Sequence, residues 1–139
     1  MQKLTVLTGL LVLAGWSVVW GADRDDVNTI NAEIEILLKS GQYQRVIDNY
    51  SGLHLNDAIF QNRIGYAYDM LGSYDKAIWY YRRATELSPE EPIVWRNLGI
   101  AYKNNGNIPQ AVAALQFYAD RLPDGERKAK VLQWIEKHK

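Results

Sequence analysis

Residues 58–89 read AIFQNRIGYAYDMLGSYDKAIWYYRRATELSP, and their pattern returns 34 positions later. Gly65 recurs as Gly99, Tyr68 as Tyr102, Gly72 as Gly106, Ala77 as Ala111 and Pro89 as Pro123. A fixed period of this size marks a chain built from stacked copies of one small unit. The signals inside each copy are helical. Asp57 stands where a carboxylate can accept the free N–H groups of a helix start. Gly72 stands where a helix can close on a left-handed residue. The pattern predicts a first helix over 57–71 and a second over 74–87. Ser88-Pro89 stops the second, because proline drives the residue before it out of the helical region. In the next copy Asn107 is placed to cap a helix and Pro109 to begin it, where the missing N–H costs little. No strand is predicted.

Small and large residues alternate for a packing reason. Gly65, Ala77 and Ala84 let two backbones approach, and Ile64, Tyr68 and Tyr81 fill the space around that contact. Glycine inside a helix costs about 1 kcal/mol relative to alanine. Its recurrence at Gly65 and Gly99 implies a neighbouring helix that leaves no room for a side chain.

Trp95-Arg96-Asn97-Leu98-Gly99-Ile100-Ala101-Tyr102 matches in full the W-x-x-L-G-x-x-Y opening of the tetratricopeptide repeat. From Val27 to Pro123 the chain resembles that family. The resemblance implies an all-α fold: a right-handed superhelical solenoid of three helix pairs over 23–123, with units at 27–57, 58–91 and 92–123. The first unit is degenerate. Gly41-Gln42-Tyr43-Gln44-Arg45-Val46 parallels Gly72-Ser73-Tyr74-Asp75-Lys76-Ala77 at a spacing of 31, and Tyr50 parallels Tyr81. Three residues are therefore missing near His54, from the second helix. Ile34 replaces the close-contact glycine, which predicts looser packing. An end unit tolerates such drift because one of its faces has no neighbour. Residues 124–139 are expected to form a capping helix, with Val131, Trp134, Ile135 and His138 on one stripe. Lys128, Lys130, Lys137 and Lys139 lie mostly outside it.

Residues 1–22 form a separate segment. Lys3 is its only charge, and Leu4–Trp20 is an unbroken run without charged residues. It reads as a signal peptide cut after Gly21 or as a retained membrane anchor, for which 17 residues is slightly short and Trp16 and Trp20 suit the interface. A buried helix of the fold is the third reading. The first two place the remainder outside the cytoplasm, in a bacterial periplasm or tethered facing it.

Composition narrows the chemistry. Zero net charge argues against a general nucleic-acid binder, and the absence of cysteine removes disulfides, thiolate metal sites and a cysteine nucleophile. His54 and His138 lie far apart without ligand partners at a metal spacing. Glu33 and Glu35, two apart, point to different sides of a helix, and Glu90-Glu91 suits a helix start. No catalytic residue, metal site or cofactor is expected. The charge is uneven: residues 23–39 carry five acids and two bases, and residues 121–139 six bases and three acids. Solvated ends or head-to-tail self-association would both account for this.

The resemblance implies a non-catalytic scaffold that binds a protein or peptide in a concave groove lined by the first helices. The family's groove positions fall on Asn28, Asn31, Glu35 and Lys39; on Asn62, Tyr66, Asp69 and Met70; and on Arg96, Ile100, Lys103 and Asn104. Arg96 and Lys103 suggest an acidic stretch of the partner lying against the third unit. The family's chaperone-binding members clamp a carboxylate with Lys, Asn and Arg. Here Asn31, Glu35, Arg63, Ile93 and Asn97 occupy those positions, and most do not match. Trp79-Tyr80, which aligns with Ala113-Ala114, is expected on the outer side of its helix, either packed on a neighbour or forming a second contact surface. The alternative function is a structural accessory subunit of a membrane complex, held by an uncleaved Leu4–Trp20 helix.

Overall fold

The computed structural model of the chain describes residues 24–139, and no strand occurs among them. The helices are α1 (Arg24–Lys39), α2 (Tyr43–Tyr50), α3 (Ala58–Met70), α4 (Tyr74–Leu87), α5 (Pro92–Asn104), α6 (Ile108–Asp120) and α7 (Glu126–His138). They form three antiparallel-style pairs, α1–α2, α3–α4 and α5–α6, with α7 packed on α6. The segment at 1–22, with its signal or anchor reading, lies outside the described residues. Among the described residues no helix is long and apolar enough to cross a membrane.

The same turn closes each first helix. Gly41, Gly72 and Gly106 take φ of 72°, 75° and 79°, a conformation that only glycine adopts cheaply. The next N–H then reaches back over the turn: Gln42 to the Leu37 carbonyl at 2.9 Å, Ser73 to Tyr68 at 2.9 Å and Asn107 to Tyr102 at 2.8 Å. These bonds satisfy carbonyls that the helix end would otherwise strand. Asp57 caps α3 as expected, its carboxylate accepting the Phe60 N–H at 2.7 Å. Asn107 corrects the expectation for α6. It sits at the N-cap position, but its side chain makes no capping bond.

Both close-contact glycines meet a neighbour within their own pair. A Cβ on Gly65 would lie 2.9 Å from Tyr81 Cδ1, and one on Gly99 would lie 2.6 Å from Leu115 Cγ. Tyr81 is fully buried at the centre of the main core, among Phe60, Ile64 and Ala77. A smaller cluster of Leu115, Tyr118 and Ile135 seals the α6–α7 end, and Trp95 touches both. The missing residues of the first unit do come out of its second helix, since α2 has 8 residues where α4 has 14. Its pair packs less extensively, and Ile34, standing where the later units have glycine, is fully buried, as is Val46.

Candidate functional site

The first helices stand side by side, and polar bonds tie them together. Arg63 on α3 donates to the Asn31 carbonyl at 2.6 Å and to Glu35 on α1 at 2.5 Å. Asn97 on α5 donates to Asn62 on α3 at 2.9 Å. Asn104 bonds Asp69 from the same neighbouring helix. These links join the α1, α3 and α5 positions into one surface, but they leave its three walls unequal.

On α1 the polar groups are already used. Asn31 is 6% exposed, and its amide donates to Asp57 at 2.9 Å, so it braces the start of α3 and does not face a ligand. Glu35 is paired with both Lys39 at 2.6 Å and Arg63. Lys39, then Arg63, holds its carboxyl below the ordinary carboxylate range. Of the four positions on this wall only Asn28 remains open, since Lys39, although exposed, is paired with Glu35. The same ion pair explains why the clamp positions cannot clamp. Arg63 is committed to Glu35, Asn97 is committed to Asn62, and Ile93 offers no donor.

The α3 wall is mixed. Tyr66 and Met70 are exposed, and the Tyr66 ring meets Tyr43 edge-on at 6.1 Å. Burial, then the neighbouring Tyr43, pushes the Tyr66 phenol above its usual range. Asp69 is half-buried. It accepts from the Tyr81 hydroxyl at 3.4 Å, and burial raises its carboxyl despite the bonds from Asn104 and Tyr81.

The α5 wall is open. Arg96 and Lys103 are exposed and have no carboxylate within ion-pair distance among the described residues, while Ile100 is half-buried between them. Here the surface continues onto residues that the sequence placed only in a cap. A pocket of about 210 Å³ opens between α5 and α7, walled by Arg96, Ile100 and Lys103 on one side and Lys130, Val131 and Trp134 on the other, over Leu115 and Tyr118. Lys103 Nζ stands 5.8 Å from the Trp134 ring centre. The signal was present in the α7 stripe. A cap that occupies the place of a fourth first helix adds one side to the groove as well as covering α6.

On the opposite side Trp79 and Tyr80 part company. Trp79 is 54% exposed. Tyr80 instead stacks on Tyr68 at 5.5 Å and donates its hydroxyl to the Ser51 carbonyl at 3.0 Å. The pair is therefore not one surface. His54 is exposed in a loop, and His138 stacks on Trp134 at 4.2 Å with Nδ1 2.7 Å from the Trp134 carbonyl. Among the described residues no group of His, Asp or Glu is arranged to hold a metal ion.

Comparison with known proteins agrees with this architecture. The chain matches 31% of 65 aligned residues in the uncharacterized protein ycf37 of Guillardia theta, covering 47% of this chain and 34% of that one. It thus spans about a third of that relative's length. Its fold is similar to the type III secretion translocator chaperone SycD of Yersinia enterocolitica, with a TM-score of 0.72 and 18% identity over 84% of this chain and 86% of that one. SycD in complex with a peptide of the translocator YopD gives a TM-score of 0.70 at 18% identity, over 83% and 95% of the two chains. The first repeat domain of Spaghetti (RPAP3), bound to the HSP90 peptide SRMEEVD, gives 0.73 at 16% identity over 83% and 94%. The family model of the tetratricopeptide repeat matches residues 66–135, half of the sequence. With the repeated glycine turns, the helix pairs and that match together, the chain belongs to the tetratricopeptide repeat family.

Proposed function

We propose that this protein is a non-catalytic interaction scaffold that holds a protein or peptide segment along α1, α3 and α5. The observation that carries the reading is the contrast between walls. Among the described residues of the three walls, only α5 presents cations without a carboxylate partner, and they flank a pocket lined by Ile100, Leu115, Val131 and Trp134. An acidic residue of the bound segment pairs with Arg96 or Lys103, and an adjacent apolar side chain enters the pocket over Leu115. Tyr66 supplies the kind of rigid aromatic contact that dominates binding surfaces. The similar folds of two peptide-bound proteins support a peptide as ligand. The charge-free Leu4–Trp20 run supports export to, or anchoring at, a bacterial envelope, with the scaffold outside the cytoplasm. The same run supports the second reading, an accessory subunit of a membrane complex. An N-terminal residue of Ala22 or Asp23 in the native protein would favour the free scaffold, and Met1 the subunit.

Selection of a random peptide library on the full chain tests the binding surface. The enriched peptides should carry an acid next to an apolar anchor. Tyr66→Ala combined with Arg96→Glu should abolish their binding without altering circular dichroism or melting. Trp79→Ala is the control, because Tyr80 packs internally and its loss would disturb the fold. Loss of binding in the control and retention in the groove variant would put the surface on the other side of the molecule.

A further inference from the structure

The chain plugs a groove in one unit and leaves the equivalent groove open in the next. In the second unit the plug is Tyr80. Its ring lies on Tyr68 and its hydroxyl reaches the Ser51 carbonyl, across the space between α2 and α4. Moving 34 residues on, Tyr68 becomes Tyr102 and Tyr80 becomes Ala114, and at the first unit's spacing of 31 Ser51 becomes Arg82. Those three residues line a pocket of about 380 Å³. α4 and α6 each pack on α5 and do not pack on one another, so the pocket floor is α5. Tyr102, deprived of a stacked ring, is partly exposed where Tyr68 is 9% exposed. Phe117 and Trp95, stacked at 4.5 Å, make an aromatic end wall.

We propose that the α4–α6 groove is a second binding site, which takes a tyrosine side chain from a partner protein. The argument for tyrosine is the plug itself, because this fold already stacks a phenol on the equivalent tyrosine one unit earlier. The acceptor we assign to its hydroxyl lies one turn beyond Arg82 on α4. Thr85 lines the pocket, and its carbonyl has no helical N–H to accept, because residue 89 is proline. Charge specifies the flanks of that tyrosine. Glu86 on the rim is neutralised by Arg83 at 2.7 Å. Arg82 is exposed at the same rim with no ion pair among the described residues, so it favours an acidic residue beside the tyrosine. This site lies outside the α5–α7 pocket and does not depend on the function proposed above.

The test uses p-cresol, the tyrosine side chain alone, titrated into the full-length protein and followed by the methyl resonances of Ala113 and Ala114 and the Trp95 indole. Saturable shifts at these groups are expected. Toluene should bind about threefold to tenfold more weakly, the size of effect that one net hydrogen bond supplies. Phe117→Ala should weaken binding, and Ala114→Tyr, which installs the missing plug, should abolish it. Of two peptides, acetyl-Glu-Tyr-Glu-amide should bind more tightly than acetyl-Lys-Tyr-Lys-amide, and Arg82→Glu should reverse that order. Tyr66→Ala with Arg96→Glu should leave every one of these shifts in place. The proposal is overturned if p-cresol gives no saturable shift at Ala114, or if binding persists unchanged in Ala114→Tyr and Phe117→Ala. It is also overturned if Ala114→Tyr breaks a dimer of this chain, which would make a second copy the occupant. A pocket that binds p-cresol only after Trp16→Ala and Trp20→Ala would likewise assign it to the chain's own N-terminal segment.

Discussion

Lys103 stands where Asp69 stands one unit earlier, Arg96 where Asn62 stands, and Ala114 where Tyr80 stands. The second and third units are the same two helices on the same glycine contact, yet they use these positions in opposite ways. The second unit turns them inward: Asn62 bonds Asn97, Asp69 receives Tyr81 and Asn104, and Tyr80 fills its own outer groove. The third unit leaves them open, with free cations over an apolar pocket on one side and an unplugged groove on the other. The residues the copies share build the repeat. The residues they do not share decide what each copy can bind.

The largest way to break this comparison is to remove the cap. Deleting residues 125–139 uncovers Leu115 and Tyr118, which α7 seals with Ile135 at 1% exposure. In a stacked array each unit depends on a neighbour for such burial. The truncated protein should aggregate or lose helicity in its third unit, as sedimentation and circular dichroism would show. Ile135→Ala is the milder form and should cost about 2–5 kcal/mol. A truncated chain that stays monomeric with unchanged melting would make α7 a mere tail.

Next in size are the two glycines. Overpacking typically costs about 1–3 kcal/mol, occasionally more. Gly99→Leu should be worse than Gly65→Leu. The added Cβ at Gly99 meets Leu115 Cγ at 2.6 Å and the Leu115 backbone nitrogen at 3.3 Å, whereas at Gly65 all the nearest atoms belong to side chains. At roughly 4–8 °C per kcal/mol for a small domain, thermal melts should order the variants clearly. Equal melting temperatures would mean that the two helix contacts are equivalent after all.

A smaller contrast lies in the plug. Tyr80→Ala should destabilise the second unit by less than the roughly 3–5 kcal/mol of a fully buried aromatic, because Tyr80 is only half-buried. Ala114→Tyr should be neutral or stabilising, since it repeats a packing the fold already accepts. Opposite shifts of the urea midpoint are the expected result. Destabilisation by both would mean that the two grooves differ in shape.

The fold was readable because the glycine turns, the helix stops and the close contacts each leave a residue type that physics makes hard to replace. The helices α3 and α4 begin and end within a residue of where Asp57, Gly72 and Ser88-Pro89 put them. The site was readable as a surface but not as chemistry. The family resemblance assigns Asn31 and Glu35 to the groove face, but it cannot show that Asn31 is consumed by Asp57, or that Arg63, one helix away, neutralises Glu35. Nor can it show that Trp134 comes beside Lys103, because that meeting depends on where α7 lies across α6. Side-chain pairing between helices is a property of the stacked array, and a repeat pattern describes only one unit at a time.

The finest test of the inward-against-open contrast is Asp69→Asn. Burial raises the Asp69 carboxyl above its ordinary value, so the folded protein holds that proton more tightly than the unfolded chain does. A group raised in this way adds stability below its unfolded pKa of about 4, and that stability is lost as pH rises through the folded value. Asparagine keeps an oxygen for Tyr81 and carries no charge to desolvate. Its stability relative to wild type should therefore rise as pH climbs through that window and then level off, seen as a diverging, then parallel, pair of melting curves against pH. The change also removes the carboxylate charge that faces the Tyr81 hydroxyl beneath the α5 wall. Binding of an acidic peptide to the α5 wall should strengthen modestly at low salt and fade as screening shortens the reach of charge to about 10 Å at 0.1 M. If the variant instead loses stability at neutral pH, the bonds from Tyr81 and Asn104 outweigh the burial of the charge. Asp69 would then be a structural anchor of the second unit, with no part in setting the sign of the groove.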